Sequence, residues 1–286
     1  MSNLKISRAQ RLDQKVIELV PELSRGFAVR LIEDGKVTVN GQAQTKAGYK
    51  LREGETVAVD YDAEQMAEIP EIDLPVLYED DDCVVINKPV GVLSHSKGAF
   101  NAEATVATWL RSRLKDGLQG ERGGIVHRLD RATSGVMICA KTPEALSWLQ
   151  KQFATRNVHK TYMAVITGTL DPAEAIIDMP IERNPKAPAT FRVGMQGKHA
   201  RTDYLVVGKN SKHSLVELKP ETGRTHQLRV HLNYFHHPIV GDTLYGGEPA
   251  DRLYLHAREL EITIPAGHER KVFNAPLPPE FTELTQ

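Results

Sequence analysis

Hydrophobic residues in the first fifty positions follow a helical period twice and a strand period once. The two helical faces consist of Leu12, Val16 and Leu19 in "RLDQKVIELVPELS" and of Phe27, Leu31 and Ile32 in "RGFAVRLIEDG". Gly35 predicts the end of the second helix. The following stretch, "KVTVNGQAQT", alternates apolar and polar residues around Asn40-Gly41, a strong short-range hairpin signal. The pattern predicts a small unit of two helices and a hairpin.

The next stretch, "DYDAEQMAEIPEIDLP", loses this periodicity. It is acidic and contains Pro70 and Pro75, features that are typical of a linker. The sequence therefore predicts an amino-terminal domain over residues 1–60, an acidic linker over 61–76 and a larger domain over 77–286.

The larger domain mixes strand and helix patterns without a regular βαβ alternation. Strands are predicted at "CVVINKP", "GVMICAK", "KTYMAVITG" and "SLVELKP", and Tyr162, Ala164 and Ile166 share one face of the third. Helices are predicted over 101–117, after Thr142-Pro143, and in "TGRTHQLRVHLNYFHH". The apolar face of the first helix consists of Val106, Leu110 and Leu114. That of the second consists of Leu146, Leu149 and Phe153, and that of the third of Leu228, Leu232 and Phe235. These patterns predict an α+β domain with a mixed, mostly antiparallel sheet.

Composition narrows the class of protein. The chain has 286 residues and two cysteines, Cys83 and Cys139, both in runs that predict buried strands. No run of about 18 uncharged apolar residues occurs, so we expect no membrane span. A soluble protein of the reducing cytoplasm fits these features, and a monomer is the expected oligomeric state.

Charge is distributed unevenly along the chain. The net charge is −1, but residues 1–52 carry +5, residues 53–87 carry −12 and residues 88–286 carry +6. Basic segments of this kind suit a polyanion such as RNA, because lysine and arginine neutralise phosphates. An ordinary solvated surface explains charges of a few units equally well.

The segment "GGIVHRLDRATSG" concentrates reactive side chains in a predicted loop before a strand. It places Asp130 between Arg128 and Arg131. Flanking cations keep a carboxylate ionised in a partly dehydrated cleft, where it can act as a nucleophile or a base. The alternative is a structural ion pair within a turn.

Other chemistries fit these residues less well. A serine hydrolase could use Ser134, His127 and Asp130, but no G-x-S-x-G motif is present and Ser134 precedes a strand rather than a helix. Four histidines, at 226, 231, 236 and 237, lack the H-E-x-x-H spacing of a zinc site, so no metal is predicted. No phosphate-binding glycine motif supports a nucleotide cofactor.

Several motifs in order carry a family resemblance. "GIVHRLDRATSG", "NKPVG", "QFATRNVHKTYMAVITG", "GRTHQLRVHL", "HPIVGDTLYGG" and "RLYLHARELEI" together resemble the RluA/RluD family of pseudouridine synthases. The amino-terminal residues resemble the small RNA-binding module named after ribosomal protein S-four. The residues that carry this second resemblance are Arg11, Leu12, Asp13, Ser24, Arg25, Gly35, Val37, Val39, Asn40, Gly41 and Lys46.

The resemblance implies a reaction and a set of site residues. It implies isomerisation of specific uridines, above all in 23S ribosomal RNA, by an essential aspartate, Asp130, without a cofactor. Arg229 is expected to hold that carboxylate through two parallel hydrogen bonds, and Tyr162 to stack on uracil. The further expected substrate contacts are Arg128, which would fill the vacated base stack, His127, Arg131 and Lys160. The expected RNA-binding residues of the amino-terminal module are Arg25, Arg30, Lys36 and Lys46.

Three other functions remain open at this point. A transfer-RNA pseudouridine synthase would share the catalytic motifs. A non-catalytic RNA-binding or folding factor would share the scaffold. An unrelated small-molecule hydrolase would leave the amino-terminal module unexplained.

Overall fold

The computed structural model describes residues 4–5, 10–21, 23, 25–60, 70–96, 103–118 and 122–286. The chain divides into two compact units: residues 1–72 with 95–109 and 119–122, and residues 73–94 with 110–118 and 123–286. Most of the predicted linker, residues 61–69, lies outside the described residues, as does Ser24. The predicted domain boundaries therefore stay predictions.

The first unit contains the two helices and the hairpin that the sequence predicts. Its elements are β1 (Leu4–Lys5), β2 (Gln10–Arg11), α1 (Leu12–Leu19), α2 (Arg25–Glu33), β3 (Val37–Val39), β4 (Gln42–Ala43), β5 (Lys50–Leu51) and β6 (Thr56–Val59). Four strands form a sheet in the order β1-β6-β3-β4, and β2 pairs with β5. Asn40 and Gly41 have φ values of 51° and 80° and turn β3 into β4, as a type I′ hairpin requires.

The core of this unit confirms the helical faces. Leu12 and Val16 of α1 and Leu31 and Ile32 of α2 are buried against the sheet residues Val37, Val39, Val57 and Val59, while Leu19 and Phe27 pack at the edge of the same cluster. One polar side chain, Asp13, is buried beside them.

The second unit is built on a nine-stranded sheet. Its strands are β7 (Val76–Glu79), β8 (Cys83–Lys88), β9 (Ser134–Ala140), β10 (His159–Thr167), β11 (Glu174–Asp178), β14 (Arg201–Lys209), β15 (His213–Pro220), β16 (Leu255–Thr263) and β17 (Arg270–Asn274), with β12 (Ile181–Arg183) and β13 (Phe191–Val193) forming a separate ribbon. The order is β11-β14-β15-β10-β16-β9-β8-β7, and β17 pairs with β16. Among the described strands only β9 and β16 pair in parallel. The mixed, mostly antiparallel sheet is confirmed.

The described residues also form four further α-helices: α3 (Val106–Leu110), α4 (Pro143–Ala154), α5 (Gln227–Tyr234) and α6 (Glu280–Glu283). Three 3-10 turns lie at Arg111–Arg113, Thr243–Tyr245 and Ala266–His268. Thr142 caps α4 by accepting the Ala145 amide, with proline at the first helical position, as predicted. Among the described residues, no helix has the length and apolarity needed to span a bilayer. Cys83 and Cys139 are free and buried, as predicted.

Two helix predictions were wrong in part. The helix expected over 101–117 is limited to α3 and a 3-10 turn at Arg111–Arg113, with residues 101–102 outside the described part. The helix cannot continue because the Lys115 amide bonds Lys141 O at 2.9 Å, a partner outside the helix. Phe235 is 40% exposed rather than buried, because α5 ends one residue earlier.

A glycine allows the parallel pairing of β9 with β16. Gly135 has a φ of 115°, and a Cβ there would lie 2.1 Å from Ala257 O. Any other residue would push these strands apart directly after the loop that contains Asp130.

Candidate active site

Backbone contacts from two sides hold the loop that carries Asp130. The Ser94 hydroxyl donates to Leu129 O at 2.8 Å and accepts from the Leu129 amide at 3.1 Å. The Thr133 amide bonds the backbone carbonyl of Asp130 at 3.0 Å and closes a turn before β9. The loop is therefore positioned by hydrogen bonds of its own backbone, which leaves the Asp130 side chain available to a cavity.

A buried lysine, which the sequence reasoning missed, supports the same loop. The Lys88 ammonium at the end of β8 donates to Pro89 O at 2.9 Å, to Val92 O at 2.8 Å and to Arg131 O at 3.4 Å. Burial lowers the pKa of Lys88 to about 8, and the charge of Asp130 opposes this shift. The signal in the sequence was a lysine within "NKPVG" at the end of the apolar run of β8.

Asp130 contacts a cation that comes from a helix. Arg229 of α5 approaches Asp130 Oδ2 with Nη1 at 3.4 Å, and His226 Nε2 lies 3.7 Å from the same oxygen. Arg131 Nη1 lies 3.5 Å from Gly91 O, and Arg128 is exposed and lines the same cavity as Asp130. That these two arginines flank the carboxylate stays a prediction.

Arg229 is held by a second aspartate. Its Nε and Nη2 each lie 2.7 Å from an oxygen of Asp242, and its guanidinium lies over the Tyr245 ring at 5.0 Å from the centroid. The predicted pair of parallel hydrogen bonds exists, but Asp242 accepts them and Asp130 receives one longer contact. Burial lowers the pKa of Arg229, and the bonds and charges of Asp242 and Asp130 outweigh this effect, so the pKa is raised overall.

Asp242 lies in the quoted "HPIVGDTLYGG", but neither its spacing nor its neighbours in sequence indicate its role. Its carboxylate is almost completely buried. A buried carboxylate that accepts two hydrogen bonds from one guanidinium fixes the plane of that group, so Asp242 determines which nitrogen of Arg229 faces Asp130.

Tyr162 of β10 lines the same cavity as Asp130 and Arg229. A register shift in the pairing of β10 with β16 falls between Thr161 and Tyr162. Burial raises the pKa of the Tyr162 hydroxyl, and the charge of Asp130 raises it further. The phenol therefore stays protonated at neutral pH. The cavity measures about 180 Å³, and Asp130, Arg229 and His226 all line it.

A second cavity of about 440 Å³ shares Arg128, Lys160, Tyr162 and Arg224 with the first. It adds Arg156, so cations line much of it. Burial lowers the pKa of Lys160 to about 8. This basic cavity suits an anionic chain better than a neutral small molecule.

His127 lies in the second cavity as a neutral ring. Its Nε2 accepts the Ile138 amide at 3.2 Å, and the ring stacks on Phe153 at 4.6 Å. Burial lowers the pKa of His127 to about 3, with the charge of Lys160 adding to the shift. Of the predicted site residues in the second unit, the structure brings all but Arg131 to one or both cavities.

The hydrolase alternative has no geometric support. Ser134 Oγ lies 2.8 Å from His256 Nδ1 and also bonds Arg252, while His256 Nε2 faces Ala275 O. Ser134 therefore bonds neither His127 nor Asp130. Ser134 is also buried, and its Oγ accepts a hydrogen bond from Arg252, so it is not an accessible nucleophile.

The four histidines that could have suggested a metal do not converge. His231 bonds Thr202 Oγ1 and Met179 O, and His237 Nδ1 bonds Thr167 O. Among the residues that the structure describes, no three histidine, cysteine, aspartate or glutamate side chains are placed to bind an ion.

The predicted RNA-binding residues of the first unit are all exposed: Arg25, Arg30, Lys36 and Lys46. Two of them have acidic partners. Arg25 Nη2 lies 3.0 Å from Asp13, and Lys36 lies 3.3 Å from Asp60. Arg25 therefore also stabilises the fold, whereas Arg30 and Lys46 are surface cations.

Comparison with known proteins places this architecture in a family. Residues 82–234 match the family model for RNA pseudouridylate synthase, and residues 10–57 match the model for the S4 domain. The matched segments contain Asp130, Tyr162 and Arg229 in the first case and all four exposed cations in the second. The chain belongs to the RNA pseudouridylate synthase family, whose members are isomerases.

Full-length relatives and solved structures agree with this assignment. The chain is 39% identical to Ribosomal large subunit pseudouridine synthase D of Vibrio cholerae, over 96% of this chain and 90% of that protein. It is 36% identical to the protein of the same name from Escherichia coli strain K12, over 97% of this chain and 90% of that protein. The structure of human RNA Pseudouridylate Synthase Domain Containing 1 aligns with a TM-score of 0.59 and 31% identity, over 71% of this chain and 83% of that one. The structure of human RNA Pseudouridylate Synthase Domain Containing 4 aligns with a TM-score of 0.58 and 28% identity, over 73% of this chain and 90% of that one.

Proposed function

We propose that this protein isomerises specific uridines of large-subunit ribosomal RNA to pseudouridine, with Asp130 as the essential carboxylate. The observation that carries the proposal is one cavity that brings together Asp130, Tyr162 and Arg229 from three separate motifs. The names of the relatives and the match to the S4 domain support ribosomal RNA as the substrate. Action on ribosomal RNA implies a cytoplasmic location.

The reaction exchanges one glycosidic bond for another. The bond between uracil N1 and ribose C1′ breaks, the uracil rotates in the cavity, and C5 bonds to C1′ while the C5 proton is lost and N1 gains a proton. An ionised oxygen of Asp130 can begin this sequence in two ways: by attack on C1′ or by abstraction of the C2′ proton. Either step develops charge in a partly buried site, where preorganised groups stabilise it better than water does.

Each cavity residue has a proposed part in this reaction. Arg229 orients Asp130, and Tyr162 stacks on uracil with a phenol that can exchange a proton near C5. Arg128 is exposed and lines both cavities, so it is placed to occupy the stack from which the uridine is flipped. Lys160 contributes positive charge toward the RNA backbone. We propose that His127 supports this wall through its stacked ring and that Arg131 contacts RNA outside the cavity.

The first unit is proposed to bind structured RNA near the target. Its exposed cations Arg30, Lys36 and Lys46 neutralise phosphates, a contribution that does not depend on sequence. A flipped base costs a few kcal/mol of unstacking, least in loops and bulges, so a second binding surface offsets part of that cost.

The test is a map of pseudouridines in ribosomal and transfer RNA from a strain that lacks this gene. Carbodiimide labelling and primer extension locate each site. We expect sites in large-subunit RNA to disappear, to return with the wild-type gene, and not to return with Asp130→Asn. Loss of transfer-RNA sites alone would contradict the ribosomal substrate. Unchanged sites, or their return with Asp130→Asn, would indicate an RNA-binding factor instead of an enzyme.

A further inference from the structure

His226 occupies an unusual backbone position at the edge of the first cavity. It precedes α5 with a φ of 57°, a left-handed conformation that few non-glycine residues adopt. Its ring connects two groups: Nδ1 lies 2.8 Å from Tyr245 Oη, and Nε2 lies 3.7 Å from Asp130 Oδ2. The backbone thus holds an imidazole between a tyrosine hydroxyl and the carboxylate proposed to react.

The hydrogen bonds of Tyr245 determine the tautomer of this imidazole. Tyr245 Oη accepts the Phe191 amide at 2.9 Å. Within the part of the chain that the structure describes, His226 Nδ1 is the acceptor to which this hydroxyl can donate its own proton. A neutral imidazole that accepts at Nδ1 carries its proton at Nε2. The N–H of His226 therefore faces Asp130.

The same geometry distinguishes the two oxygens of Asp130. Arg229 Nη1 and His226 Nε2 both approach Oδ2. Among the described residues, Oδ1 has no hydrogen-bond partner in the protein. Arg229 bonds Oδ2 and His226 Nε2 lies just beyond hydrogen-bond distance of it, so both groups face Oδ2 rather than Oδ1.

We propose that His226 is a positioning residue: its Nε2–H donates to Oδ2 of Asp130 in the RNA complex, so that Oδ1 is the oxygen that reacts. This inference rests on the proposed function, because it assigns a part within the same site. The separation of 3.7 Å exceeds a hydrogen bond, and catalytic hydrogen bonds commonly shorten when substrate closes the site.

A neutral donor suits this position better than a second cation would. Burial lowers the pKa of His226, while the charge of Asp130 opposes the shift; Arg229 and Arg128 lower the pKa and Asp242 raises it. A neutral imidazole can therefore orient the carboxylate without placing a second cation against it.

The test begins with nitrogen NMR of the full-length protein labelled with ¹⁵N-histidine, assigned with His226→Gln. We expect His226 to show a protonated Nε2 and an unprotonated Nδ1. Tyr245→Phe keeps the ring under Arg229 and removes only the hydroxyl, so the resonances should shift toward a mixture of tautomers. A wild-type His226 protonated at Nδ1 would overturn the proposal. This readout requires no RNA and no turnover, so it stands apart from any failure of the proposed function.

Measurements of kcat and KM on variants provide a second test of the positioning role. Tyr245→Phe should lower kcat about three- to tenfold, the worth of one hydrogen bond, and leave KM unchanged. Tyr204→Phe is the matched control, because it removes a hydroxyl of β14 that bonds Pro172 O at 2.8 Å and does not line the cavity. His226→Gln retains an N–H donor and should keep more activity than His226→Leu. Equal losses for Tyr245→Phe and Tyr204→Phe, or for the two His226 variants, would contradict a positioning role.

Discussion

Both units contain a buried aspartate that binds arginine, but the arginines differ in exposure. In the first unit Asp13 bonds Arg11 and Arg25, whose side chains are 47% and 60% exposed. In the second unit Asp242 bonds Arg229, which is 9% exposed. Both carboxylates are nearly inaccessible to solvent.

The difference shows how one kind of ion pair serves two purposes. Hydrogen bonds from Arg11 lower the pKa of Asp13; burial opposes this shift and Arg25 adds to it. Asp13 is therefore a stable anionic partner for arginines that remain in contact with water. Asp242 instead holds its arginine inside a cavity, where one nitrogen is left to contact Asp130. Exposed arginines can bind many phosphates weakly, whereas the buried one orients a single carboxylate.

Replacing Asp242, the buried partner of Arg229, should have the largest effect on stability and activity among the variants that test this comparison. Asp242→Asn removes the counter-charge of Arg229 and replaces one of its two acceptor oxygens with an NH2 group, so we expect a loss of about 3 kcal/mol in the free energy of unfolding. The misplaced guanidinium should also lower kcat by about 10²-fold, as removal of a preorganised donor does. Urea denaturation and turnover at saturating RNA measure the two effects.

Asp13→Asn is the matched variant in the first unit. It should lower the thermal stability of that unit and leave kcat at saturation unchanged, because the cavity residues belong to the second unit. A fall in kcat for Asp13→Asn as large as that for Asp242→Asn would remove the distinction between the two pairs.

The exposed cations of the first unit should control affinity rather than rate. Replacing Arg30, Lys36 and Lys46 with alanine should weaken binding to structured RNA. The slope of log affinity against log salt should flatten by roughly 0.7 to 0.9 for each phosphate that is no longer neutralised. Arg25 is left in place because its replacement would also break the bond to Asp13.

The control removes the same charge from exposed positions of the second unit, by alanine at Lys198, Lys209 and Lys212. Filter binding across a salt series compares the two triple variants. Equal slopes would mean that net charge, and not the S4 domain, accounts for the affinity.

A smaller effect should appear with pH at Lys160. Its lowered pKa of about 8 means that the ammonium loses its proton as pH rises through 8. We expect KM for RNA to rise a few-fold between pH 7 and 9 as the positive charge disappears. Lys160→Arg, which stays charged, should show a flatter profile. A steep rise in both proteins would assign the titration to another group.

Periodicity predicted the parts of the fold that local patterns determine. The faces of α1 and α2, the Asn40-Gly41 hairpin and the Thr142 cap depend on residues a few positions apart, and the structure confirms them. The helix over 101–117 was overextended because the Lys115 amide bonds Lys141, which no local pattern reveals.

In the candidate active site, too, sequence patterns did not reveal partners that are distant in the chain. Motif resemblance indicated Asp130, Tyr162 and Arg229, and the structure brings them to one cavity. Asp242 is 13 residues from the arginine it binds, and Lys88 is 43 residues from Arg131, whose carbonyl it holds. Such partners are defined only when strands and helices pack, so composition and spacing could not assign them.

The central claim is that Asp130 carries out uridine isomerisation while other parts of the protein hold the RNA. Tritium release from a large-subunit RNA transcript labelled at uracil C5 tests this claim, with RNA affinity measured on the same samples. We predict that Asp130→Asn reduces release by more than about 10³-fold and changes the dissociation constant by less than about threefold, because the amide keeps the shape and loses the charge. Appreciable release by Asp130→Asn at saturating RNA would contradict the account.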